Sequence, residues 1–168
     1  MAIGLALGGC ATQPATRHVD LFVTRAPLPT RVPRGQAMAA AERAAAAREG
    51  DFALQGVGRS MEPVYVAGTA VVVHPTAFHM LRQGMAVVYT NRRGAYVAHL
   101  LVEKQSRGWV ATGLNNAEPD DALVTAHNLV GVIRHAFVAD DTVFQPDLAA
   151  QIALQSSLRQ NTPLALFH

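Results

Sequence analysis

The chain has 168 residues, 50% of them hydrophobic and 15% charged, and a formal net charge of +2. That composition allows one domain with a real core and argues against wholesale disorder. No basic run is interleaved with aromatics, so nucleic acid is not an expected partner, and one cysteine excludes an internal disulfide or a thiolate metal cage. No stretch of about 18 uninterrupted apolar residues occurs, so no transmembrane helix is predicted.

The chain opens MAIGLALGGCATQPATR, where apolar residues run into Leu7-Gly8-Gly9-Cys10 and then give way to polar ones. This resembles a bacterial lipoprotein signal ending in a lipobox, in which a branched and two small residues precede the cysteine that is acylated. The resemblance implies lipidation at Cys10 and a place in the bacterial cell envelope, tethered to a membrane and facing the periplasm. Each buried methylene of an acyl chain contributes about 0.8 kcal/mol, and more than one chain gives stable attachment. No Lys or Arg precedes Cys10 and the apolar run is short, which leaves an incidental cysteine as the alternative.

Residues 11–34 are proline-rich without periodicity and read as a tether. GQAMAAAERAAAARE, Gly35 to Glu49, consists of good helix formers, and Gly50 should stop the helix. Its alanine surface offers little large apolar area, so light packing or a spacer role is expected. From Asp51 the texture changes to short β-branched runs between turn signals: the apolar run Val64 to Val73, then GMAVVYT, AYVAHLLVEK, WVATG and LVGVIRHAFV. After Pro146, Leu148, Ile152, Leu154 and Leu158 suit an amphipathic helix. The reading is mainly β: an antiparallel, hairpin-rich domain over 51–145, flanked by an N-terminal Ala-rich helix within 11–50 and a C-terminal helix and tail over 146–168, with 1–10 as signal remnant.

Within the β region, Gly58-Arg59-Ser60-Met61-Glu62-Pro63 sets a serine in a turn ahead of the Val-rich run. Glycines and proline alone would make a plain surface turn. A serine hydroxyl becomes a useful nucleophile only when a base takes its proton. His99, inside the run Tyr96 to Val102, is the candidate base, and Asp120 and Asp121, in the polar turn that follows, both offer a carboxylate that could orient it. Lys104 lies five residues beyond His99, and that odd offset on a strand predicts the opposite face. His74, His79, His127 and His135 show no ligand-pair spacing, so no metal or other cofactor is expected.

The order Gly-x-Ser-Met-x-Pro, a Gly-led Val run, a base on a strand, and Gly113-Leu114-Asn115-Asn116 with Asp120-Asp121 behind it resembles the signal peptidase I superfamily. That superfamily also contains the self-cleaving SOS-type repressors. The resemblance spans about residues 54–134. It implies a serine endopeptidase with Ser60 as nucleophile, His99 as base and Asp121 as orienting acid, in the variety that uses histidine rather than lysine. It also implies that the Ser60 amide helps form an oxyanion hole, that Gly58 keeps the approach open, that Met61 packs beneath the serine and that Pro63 stiffens the turn. The substrate would be an extended peptide with small side chains near the cut. Departures from the pattern fall at Gly68-Thr69, Gly84-Met85, Leu100 and Leu114. They leave a second expectation, a binding or structural lipoprotein that kept the fold and lost the chemistry. The repressor variety fits less well, because no Ala-Gly pair lies between Cys10 and Ser60.

Overall fold

The computed structural model describes residues 25–140. The expectations for Cys10, for the signal remnant 1–10 and for the helix at 146–168 lie outside the described residues. In chain order the elements are β1 (Thr30–Val32), α1 (Ala37–Ala46), β2 (Phe52–Gln55), β3 (Ala70–His74), a single 3-10 turn at Phe78–Met80, β4 (Ala86–Thr90), β5 (Tyr96–Gln105), β6 (Gly108–Thr112) and β7 (Leu129–Ala139). The protein is mainly antiparallel sheet. Its seven strands run in the order β2-β3-β7-β4-β5-β6, with β1 joined to β7 in the one parallel pairing. No helix among the described residues is long and apolar enough to cross a membrane.

Strand alternation divides the apolar residues between two faces. One face carries the central core: Val71 and Val73 of β3, Ala86 and Val88 of β4, Leu100 of β5, and Ile133 and Ala136 of β7. The turn residues Met61, Val64 and Tyr65 close over it. The opposite face is covered in two places. At the β2–β3 end, α1 lays Ala37, Ala41 and Ala45 on Ala70 and Val72. At the other end Leu81 and Val124 cover Val87, Tyr89, Leu101, Trp109 and Ala111.

The Ala-rich helix forms as predicted, and Gly50 follows it with φ +82°. It is more than a spacer, because four of its alanines are buried. Two expectations need correcting. Part of the proline-rich stretch is built into the domain: β1 pairs with Phe137–Ala139, Ala26 is buried in the central core, and the Tyr65 hydroxyl donates to Pro27 O at 2.7 Å. Three residues of strand carry no readable period, so only the partner strand reveals them. The apolar run Val64 to Val73 is also not strand throughout. The Val64 and Tyr65 amides both donate to Met61 O, Gly68 has φ +90°, and the strand begins only at Ala70.

Candidate functional site

Ser60 lies in the turn that follows β2. Glu62 N donates to Arg59 O, and Met61 O caps the next residues. The Glu62–Pro63 peptide bond is cis. Across the turn the exposed Arg59 guanidinium bonds the Glu62 carboxylate at 3.1 Å, which holds its proton more firmly than usual. Met61 is buried in the central core beneath the serine, as its place in the motif suggests.

A second segment holds the turn from the side. The Asn115 amide donates to Ser60 O at 2.8 Å, and Asn115 Nδ2 donates to Arg59 O at 3.3 Å. Gly113 allows that approach, since a Cβ there would stand 2.5 Å from Ser60 O and 2.9 Å from Ser60 Cβ. The Gly113–Asn116 segment thus holds Ser60 through backbone contacts. Leu114 and Leu100, two of the departures from the family pattern, are both buried in the central core.

His99 comes from β5, paired with Val87 of β4. Pairing of β5 with β6 stops at Leu100–Thr112, and beyond it no strand among the described residues covers the β5 edge. The serine turn comes in beside that end. Ser60 Oγ lies 2.9 Å from His99 Nε2, and His99 Nδ1 lies 2.6 Å from Asp120 Oδ2. A carboxylate only accepts, so Nδ1–H donates to Asp120 and Nε2 is left to accept the serine hydroxyl. The three side chains thus form one hydrogen-bonded chain.

The carboxylate that meets His99 is Asp120, and the expectation that Asp121 does so is corrected. Val124 and Trp109 exchange backbone hydrogen bonds, and Asp120 N donates to Ala111 O at 2.9 Å, so this segment is held beside β6. Asp120 faces inward with its side chain 13% exposed. Asp121 faces outward, 80% exposed, 3.7 Å from Arg92.

Lys104 is not at the site, though for a reason other than its offset. Val102 forms a bulge against β6, which puts Lys104 opposite Trp109. Its ammonium stands 4.1 Å from the Phe78 ring centre and 5.1 Å from that of Trp109. Among the other histidines, His74 pairs with the buried carboxylate of Asp51 at 2.5 Å. Among the described residues no cluster of three or more His, Cys, Asp or Glu is arranged to hold a metal.

One residue of the site is not apparent from sequence. The Tyr89 hydroxyl donates to Asp120 Oδ2 at 2.6 Å, the same oxygen that His99 uses. Burial, and then the bond to Asp120, push the Tyr89 phenol far above its ordinary range, so it stays a protonated donor. A tyrosine in a strand reads as core, and only the hydrogen bond separates the two roles.

Ser60 and His99 open into a groove of about 500 Å³. Leu54 to Gly58 form one side and Tyr96 to Ala98 the other, over Val71 and Val88. Val57, 88% exposed, and Tyr96, 61% exposed, stand at its rims. Thr69 lines the groove, and its buried hydroxyl has no partner among the described residues. The site is therefore a hydrogen-bonded serine, histidine and aspartate at the end of an apolar groove on an antiparallel sheet. Among known proteins, no family model matches the chain and no curated sequence matches it.

Proposed function

We propose that the protein is a serine endopeptidase of the signal peptidase type, cleaving extended peptides at a membrane surface to which an acylated Cys10 tethers it. The observation that carries the reading is His99, with Nε2 on Ser60 Oγ at 2.9 Å and Nδ1 on Asp120 at 2.6 Å. That is the arrangement a nucleophile, its general base and an orienting acid require.

In this reading His99 Nε2 takes the hydroxyl proton as Ser60 Oγ attacks the peptide carbonyl. The tetrahedral oxyanion is held by backbone amides, that of Ser60 among them. The imidazolium then gives its proton to the departing amine, leaving an acyl-enzyme. Water, deprotonated by the same nitrogen, releases the acid product and restores the serine. Asp120 keeps its negative charge throughout and stabilises the imidazolium.

The groove supports a peptide lying between residues 54–58 and the open edge of β5 at 96–98. Main-chain hydrogen bonds to a strand edge would give register, and side-chain pockets would give selectivity. Small side chains next to the cut are the preference expected from the resemblance to signal peptidases.

The test is cleavage of a peptide library by the purified protein beside Ser60→Ala and His99→Ala. Each variant should lose at least about a thousandfold in kcat/KM. Cleavage that survives both changes would sink the mechanism. A folded parent that binds peptides without cutting them would favour the binding-lipoprotein reading instead.

A further inference from the structure

Tyr89 lies on β4 opposite Val97, and His99 is two residues further along β5 on the same face. A cross-strand diagonal of this kind brings a long side chain within reach of its neighbour. The ring is packed with Val87, Leu101, Trp109 and Val124 and is almost completely buried. A phenylalanine would satisfy that packing equally well. The hydroxyl is what the core does not need, and it goes to Asp120 Oδ2 at 2.6 Å. His99 Nδ1 reaches the same oxygen, also at 2.6 Å.

We propose that Tyr89 is a positioning residue for the candidate site: its hydroxyl and the His99 Nδ1–H converge on Asp120 Oδ2 and fix where that oxygen sits and how strongly it pulls on the imidazole. This assignment rests on the Ser60–His99 chemistry proposed above. Two consequences follow from one hydrogen bond. The first is geometric. Asp120 is held by its own amide on Ala111 O, but its carboxyl group can still rotate, and a second donor restricts that rotation. The second is electrostatic. A donor to the carboxylate disperses part of its charge, so the carboxylate stabilises the imidazolium less than it otherwise would. Of the other charged groups near the Tyr89 ring, Asp121 turns outward beside Arg92 and adds to the upward push on the phenol, and the Lys104 ammonium lies over Phe78 and Trp109, at the edge of the cluster that packs the ring.

The proposal is tested with Tyr89→Phe, which keeps the packing and removes only the hydroxyl. The imidazole titration of His99, followed by NMR, should move to higher pH in the variant, because the carboxylate recovers its full pull. The acid limb of kcat/KM should move the same way, with kcat reduced about tenfold and KM little changed. A loss of activity with the titration unmoved would show that the hydroxyl does not act on the imidazole through Asp120, and would overturn the proposal. An unmoved titration overturns it equally if activity is unchanged. The NMR measurement requires no cleavage, so it decides the role of Tyr89 even where the parent cuts no peptide and the peptidase reading fails.

A second measurement avoids reliance on that variant. In the parent, two slowly exchanging downfield protons are expected, one from His99 Nδ1 and one from the Tyr89 hydroxyl. Asp120→Asn should shift both together. A tyrosine proton that ignores this change would show that the shared oxygen does not couple the two groups, and would overturn the proposal.

Discussion

At the scale of single residues, the neighbours Asp120 and Asp121 separate a positioning role from a surface one. Asp120→Asn leaves a group of the same shape but removes the charge and the preference for an Nδ1–H donor. The imidazole is then free to take the other tautomer, in which Nε2 carries a proton and cannot accept one from Ser60. Loss of about ten-thousandfold in kcat is expected. Asp121→Asn, on an exposed carboxylate beside Arg92, should leave kcat within about twofold, since such surface pairs contribute about 0–1 kcal/mol at most. Parallel kinetics on the two variants decide between them. Equal losses would mean that the contact between Asp120 and His99 is not what orients the histidine.

At the scale of elements, the nucleophile depends on how closely two segments approach. The turn carrying Ser60 lies against the chain leaving β6, and Gly113 is the contact point. A Cβ at Gly113 would be 2.5 Å from Ser60 O, where the obstructing atom is backbone and cannot rotate away. Gly113→Ala should therefore destabilise the fold by about 1–3 kcal/mol, as overpacking does. It should also lower kcat by displacing Ser60 Oγ from His99. Gly58→Ala is the control for stability alone, because its Cβ would meet open space in the protein while Gly58 borders the groove. Urea denaturation with activity measured on the same samples checks both. A Gly113→Ala protein as stable and active as the parent would show that the two segments have room to separate.

At the scale of the whole molecule, buried phenols make stability fall at alkaline pH. Tyr65 lies under the site in the central core, and burial raises its phenol well above the ordinary value of 10.0. Tyr89 is raised by burial and by its bond to Asp120. A raised folded value means that the folded state keeps protons that the unfolded chain gives up. Their contribution is complete below about pH 10 and declines as pH rises past it. Thermal melts taken across that range should show a falling midpoint, and Tyr65→Phe should make the fall shallower. The variant should also lose about 1 kcal/mol at neutral pH through its missing bond to Pro27 O. A midpoint that stays level above pH 10 would contradict the linkage.

The sequence by itself determined the β-rich domain, the Ala-rich helix, and the two groups whose chemistry is unusual for their setting: a serine in a glycine-proline turn and a histidine inside a strand. These were legible because period, turn residues and chemical type are local properties. It left Asp120 and Asp121 undistinguished, since which of two adjacent carboxylates faces inward depends on the backbone bond from Asp120 to Ala111. The bulge at Val102, the docking of Ala26 and β1, and the role of the Tyr89 hydroxyl were hidden for the same reason. Each is defined by a partner distant in the chain. Tertiary structure decided them, because register, burial and the direction of a hydrogen bond exist only once the strands have been brought together.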